Sequence, residues 1–368
     1  MPTTEETPSM ASTPDAATLP QALSQTSSTA LLMMIAPFFL WGTAMVAMKG
    51  TIDHTTPMFM ASLRLLPAGV LVLIASVVMG RSQPKGWSAW LWICLFGVVD
   101  GAMFQGFLAE GLVRTGAGLG SVMIDSQPLA VALMARILFG ERIGLFGVVG
   151  LAFGAIGISL LGLPDEWILH GIDAIRYGDL SHLSWQSGVV SVETVIERLF
   201  QSGEWLMLLA ALSMAVGTVM VRYVSRHADP VSATAWHMVM GGIILTIISG
   251  VNETEQWQHL TTSDWMALSY ASVFGSALAY GLFFYFASQK NLTSFIALTF
   301  LTPVFALLFS NIFLSEQLTT VQWAGVGFTL VSIYLINQRE LLMAKLQQIR
   351  AGRSSDVQKT AAGDVPLQ

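Results

Sequence analysis

One pattern occurs twice in this chain. The stretch Gly42-Thr43-Ala44-Met45-Val46-Ala47-Met48-Lys49, followed by Pro57, returns nearly half a chain later as Gly217-Thr218-Val219-Met220-Val221-Arg222, followed by Pro230. Further on, Pro128, Glu141 and Gly150 are matched by Pro303, Glu316 and Gly325, all three at one common offset. Both copies consist largely of apolar runs, and a bilayer-crossing helix needs about 20 such residues. Five runs fit in the first copy, at 31–50, 58–79, 90–112, 119–139 and 143–163. Five more, at 205–224, 231–250, 266–287, 293–315 and 321–337, fit in the second. An odd number of crossings per copy turns the second copy over in the membrane. The pattern predicts an all-α polytopic membrane protein, with ten transmembrane helices arranged as two inverted five-helix repeats.

Composition excludes the other classes. Hydrophobic residues make up 54% of the chain and charged residues 11%, against roughly a quarter charged in a soluble domain. Strands of a membrane barrel alternate apolar and polar residues, whereas Ile243-Ile244-Leu245-Thr246-Ile247-Ile248 is apolar on nearly every face. Counted alternately from an inside N-terminus, eleven Lys and Arg residues, among them Arg81, Lys85 and Arg226, fall in inner segments. The outer segments hold four: Lys49, Arg114, Arg176 and Arg198. That excess places both termini in the cytoplasm. The single cysteine, Cys94, allows no intramolecular disulfide.

Five regions follow. Residues 1–28, rich in Thr, Ser, Ala and Pro, are expected to be a disordered cytoplasmic tail without signal or transit character. The first repeat covers 29–163 and the second 205–337. Between them, 164–204 is an acidic outer linker whose apolar residues fall at helical spacing, which predicts short surface helices. Residues 338–368 form a second cytoplasmic tail whose basic residues suit an anionic lipid surface.

An ionisable group at the centre of a membrane helix costs about 2.5–3.5 kcal/mol on the insertion scale, so each one needs a reason. Asp100 lies near the middle of the third run, as a candidate substrate contact and proton carrier. Asp125 lies three residues before Pro128, whose missing N–H weakens the helix there. Pro128 and Pro303, at equivalent positions of opposed repeats, are candidate hinges. Arg64 reads as a structural ion-pair partner or a partner for an anionic headgroup, with substrate contact the lesser alternative, and Glu110 with Arg114 as a local pair at helical spacing. Glu141 and Glu316 precede the fifth and tenth runs, where a carboxylate complements the dipole of the helix that follows. Gly147, Gly150, Gly154 and Gly157 form a small-residue ridge on the fifth run, a packing face suited to a homodimer. No P-loop, nucleophile elbow or zinc-binding His pair is present, so neither a cofactor nor a metal nor a nucleic-acid partner is expected.

Leu40-Trp41-Gly42-Thr43 leading to Lys49, Pro57 followed by Arg64, Pro128 followed by Glu141, and Pro303 followed by Glu316 and Gly325 together resemble the EamA family of the drug/metabolite transporter superfamily. Ala117-Gly118-Leu119-Gly120-Ser121, Asp125-Ser126-Gln127-Pro128-Leu129 and Ala235-Trp236-His237-Met238 look like its cyanobacterial and plant plastid branch. The resemblance implies a central cavity lined by the first, third, fourth, sixth, eighth and ninth spans. Trp41, Asp100, Asp125 and Tyr280 would then be substrate-binding residues, while Arg64 and His237 lie on excluded spans. It also implies a secondary transporter for a small metabolite, such as an amino acid or nucleobase, working by alternating access in an inner or plasma membrane. Export, with coupling to protons through Asp100, completes that expectation. The competing class is a membrane protein that moves nothing, an intramembrane enzyme or a scaffold.

Overall fold

A computed structural model describes residues 28–140, 144–163, 168–169, 176, 201–287, 297–339 and 341–348. Glu141, most of the linker, residues 288–296 and most of both tails lie outside the described residues. Ten membrane-type helices occupy the described part: α1 (Ser28–Lys49), α2 (Pro57–Val78), α3 (Trp87–Arg114), α4 (Ala117–Phe139) and α5 (Leu145–Gly162). The second half contributes α6 (Gly203–Val224), α7 (Pro230–Asn252), α8 (Thr262–Phe283), α9 (Leu301–Leu314) and α10 (Thr320–Asn337). Eight of these are long and apolar enough to cross a membrane, and α5 and α9 are shorter apolar helices.

Proline or a capping side chain fixes where several helices start. Pro57 opens α2 and Pro230 opens α7, where its missing N–H costs no helical bond. Asp229 accepts from the backbone N–H of Val231 and Ser232 at the start of α7. Reciprocal capping boxes begin α8 with Thr261 and Asp264, and α10 with Thr319 and Gln322. Side-chain burial then runs opposite to that of a soluble protein. Ile137, Val251 and Phe313 are 79%, 77% and 71% exposed, while Arg64 and Gln105 are buried at 6% and 3%. An outer surface this apolar is stable against lipid and not against water.

Packing pairs the halves. α2 lies along α7 and α5 along α10, while α1 packs on α8 and α9 as α6 packs on α3 and α4. Equivalent helices run antiparallel. Just past the end of α7, the Glu253 carboxylate accepts from the Thr56 hydroxyl and the backbone N–H of Met58 and Phe59 at the start of α2. At the opposite ends of the same pair, the Ser76 and Ser232 hydroxyls lie 3.2 Å apart. Along α5 and α10, Gly150 sits against Ile336 and Gly157 against Thr329.

Two sequence expectations change here. Glu316 does not serve the helix that follows it: its carboxylate accepts from Ala117 N at 2.8 Å and Gly118 N at 3.2 Å, so it caps α4 in the other half. The dipole argument holds, but the helix it serves is across the molecule. Glu316→Ala removes this cap and should cost about 1–2 kcal/mol, read as a lower unfolding midpoint of the detergent-purified protein. An unchanged midpoint would show that water replaces the carboxylate without loss. The glycine ridge on α5 is spent inside the chain, where Gly150, Gly154 and Gly157 meet α10 or Leu129 side chains. It therefore presents no face to a second copy. The hinge prolines stand just after irregular backbone: α4 breaks before Pro128, between Ala117–Ile124 and Gln127–Phe139, and a 3₁₀ turn at Ala297–Phe300 precedes Pro303.

Candidate functional site

The helical hydrogen-bond ladder widens at two places, Gly97–Met103 in α3 and Val273–Leu278 in α8, where π-helical turns replace α-helical ones. Val273 follows Gly97 at almost the offset that relates Pro303 to Pro128, so the irregularity is repeated with the sequence. Such turns swing side chains off the regular helical face and are common at functional sites. Close backbone contact holds the first in place: a Cβ on Gly101 would meet Gly241 Cα and His237 O, each at 2.9 Å. No other residue fits that crossing.

Asp100 sits in the first π segment and points into the bundle. Its Oδ2 lies 3.2 Å from His237 Nε2 on α7, with the two side chains 15% and 5% exposed. Gly217 on α6 leaves the room, since a Cβ there would overlap the Asp100 carboxyl. Phe96 stacks on the imidazole with ring centroids 4.2 Å apart. The other imidazole nitrogen, Nδ1, is buried with no hydrogen-bond partner among the described residues. Asp100 therefore sets the orientation of the ring.

An equivalent pair joins the two halves a second time. Arg64 on α2 donates through Nε to the Ser276 hydroxyl, 3.1 Å away in the second π segment. It donates through Nη1 to Gln105 Oε1 at 3.3 Å. Arg64 is related to His237 by the same offset as Pro57 to Pro230, and Asp100 to Ser276 by the same offset as Gly97 to Val273. Gln105 and Tyr280 share the offset of Pro128 and Pro303. The same construction thus appears twice: a basic side chain on α2 or α7 meets a polar one in the π turn of α8 or α3.

Tyr280 links the two, being within electrostatic reach of both Asp100 and Arg64. Trp41 packs against it edge to face at 5.5 Å between ring centroids, and Phe283 lies 5.4 Å from Trp41. Trp41, Asp100 and Tyr280 are thus brought into one region. Asp125 accepts from the Ser121 hydroxyl, one turn earlier on its own helix. Gln105 and Ser276 were passed over in the sequence, and Arg64 and His237 set aside, although extending the repeat register one residue at a time pairs Arg64 with His237, Asp100 with Ser276 and Gln105 with Tyr280. A groove of about 380 Å³ lies elsewhere, between α1, α8 and α9, with Thr43, Val46, Asp264 and Phe313 in its walls.

A buried Asp100–His237 contact and a buried guanidinium lie at equivalent repeat positions inside an apolar helical bundle, where such groups are costly. A sequence profile of the EamA-like transporter family matches residues 28–163 and 201–338, one match per half. The chain belongs to the EamA-like transporter family. A transporter of Synechocystis sp. is 57% identical over 318 residues, covering 86% of this chain and 92% of the relative. A chloroplastic WAT1-related protein of Arabidopsis thaliana is 48% identical over 309 residues, covering 83% and 68%. The inner membrane transporter YedA of Escherichia coli K12 is 24% identical, covering 82% and 89%. One crystal structure shares the fold at a TM-score of 0.55 and 17% identity, over 87% of this chain and 99% of that one. This EamA protein is a multi-pass membrane transporter, and its two relatives at 57% and 48% identity match the cyanobacterial and plastid branch read from its motifs.

Proposed function

We propose that this EamA protein is a proton-coupled secondary exporter of a small metabolite in a bacterial inner membrane, with both termini in the cytoplasm. The observation that carries the reading is the pair of equivalent polar contacts, Asp100 with His237 and Ser276 with Arg64, set in π turns at the middle of an apolar bundle. Antiparallel packing of equivalent helices supports an inverted repeat, in which opening one half toward one side of the membrane mirrors opening the other toward the opposite side. The Asp100–His237 pair supplies a group able to take and release a proton as access alternates. Amino acids and nucleobases fit the mixed aromatic and polar surroundings of Trp41 and Tyr280. A comparison of metabolites released by cells with and without the protein tests the reading. Export of at least one such solute only when the protein is present is expected, and identical release profiles at verified expression would sink it.

The breaks ahead of Pro128 and Pro303 act as the gates of this cycle. Each proline locks the first turn of the helix that follows and leaves the preceding residues unable to continue it. Pro128→Ala and Pro303→Ala should each slow export several-fold while folded yield stays near that of the parent. Equal export rates in both variants would leave the prolines a packing role only.

A further inference from the structure

We propose that Arg64 binds the anionic end of the transported solute, and that the solute carries a carboxylate. The proposal rests on the transporter reading above and names the substrate chemistry of the same polar region.

The argument starts from the asymmetry between the two equivalent contacts. In one, the π turn supplies a carboxylate, Asp100, to a basic group, His237. In the other, the π turn supplies only a hydroxyl, Ser276, to a guanidinium that carries a full charge at any working pH. Arg64 is 6% exposed and has no ion pair among the described residues. Its two recorded bonds go to neutral acceptors, Ser276 Oγ and Gln105 Oε1. They use one N–H of Nε and one of Nη1 out of five, so both N–H groups of Nη2 and one of Nη1 have no protein partner among the described residues. A buried charge without a counter-charge is among the costliest features a membrane protein carries. Here the counter-charge belongs at the free edge of the guanidinium, where two parallel N–H groups match a carboxylate's two oxygens.

The surroundings select further. No second Lys or Arg contacts this set among the described residues, so a single negative charge is balanced and a phosphate dianion is not. Tyr280 is within electrostatic reach of Arg64, and Trp41 packs on Tyr280, giving the rest of the solute an aromatic wall. Asp100 does not compete for Arg64, because its carboxyl is engaged by His237.

The test compares three probes of one shape on the full chain in detergent: benzoate, benzamide and benzylamine, each titrated into the millimolar range while thermal unfolding is followed. Benzoate is expected to raise the unfolding midpoint in a saturable way, and the neutral and cationic probes are not. Arg64→Gln should weaken benzoate roughly tenfold to hundredfold, the range for a lost hydrogen-bonded charge. Should that variant fail to fold, Ser276→Asp decides: Asp100 shows that the equivalent π turn accepts an aspartate, and an internal carboxylate on Arg64 should keep the fold while displacing benzoate. Benzamide matching benzoate, no stabilisation of the parent by benzoate, or parent-like benzoate binding by Ser276→Asp would each overturn the proposal. Arg64-dependent binding without transport of any solute in liposomes would instead remove the transporter reading and leave the anion site standing. Transport that ignores solute charge would do the reverse.

Discussion

The Asp100→Asn protein is expected to exchange solute across a membrane and to lose the ability to concentrate it. Asparagine keeps the size of the side chain and can still meet His237 Nε2, 3.2 Å away in the parent, so the contact between α3 and α7 survives. What it loses is titration. For one proton per solute, a gradient of one pH unit is worth about 1.4 kcal/mol, or about a tenfold concentration ratio. The parent should approach that ratio and Asp100→Asn should stop near equality, while exchange of labelled for unlabelled solute continues. His237→Gln leaves the carboxyl in place and is expected to retain coupling. Should Asp100→Asn accumulate solute as well as the parent, Asp100 is a satisfied structural residue and the carrier is driven otherwise.

Gly241→Ala should be among the most damaging single-methyl changes at the described residues. A Cβ there would meet Gly101 Cα at 2.6 Å and Gly101 C at 2.7 Å, and neither atom belongs to a side chain that can rotate away. Forcing α3 from α7 breaks the crossing beside Asp100 and His237, so stability and coupling fall together. Overpacking of this kind costs about 1–3 kcal/mol or more. Gly250→Ala, on the same helix with nothing within 4 Å of the added carbon, is the control. It should be neutral or stabilise by up to about 1 kcal/mol through helix propensity. Unfolding midpoints of the two variants measured together check the claim, and equal midpoints would refute the close-contact account.

Helix number and order were legible because a membrane span writes itself as an uninterrupted apolar run, and Pro57, Pro230, Thr261 and Thr319 mark helix starts through their own chemistry. The family was legible from motif spacing. The π turns were not, because widening a helical turn leaves Gly97–Met103 as apolar as its neighbours apart from Asp100. Glu316 was assigned to the wrong helix for a similar reason: sequence shows which residues are adjacent in the chain, and its partners, Ala117 and Gly118, lie 199 and 198 residues away. Asp100 stood out as an ionisable residue inside a span, and Trp41 and Tyr280 were named through the resemblance. Arg64 and His237 were set aside as lying on the wrong spans, yet they occupy equivalent repeat positions and complete the two polar contacts. The repeat register carried that information, and only a partner for each residue in space turned it into a site.

The central claim is that this EamA protein moves a small solute through the polar region between its two halves. The most direct measurement is flux of amino acids and nucleobases, neutral and carboxylate-bearing, through purified protein in liposomes with a pH indicator inside. The account predicts saturable, protein-dependent movement of at least one carboxylate-bearing solute, accompanied by proton movement that Asp100→Asn abolishes. Folded parent protein that moves none of these solutes, in either direction and under either pH gradient, would contradict it.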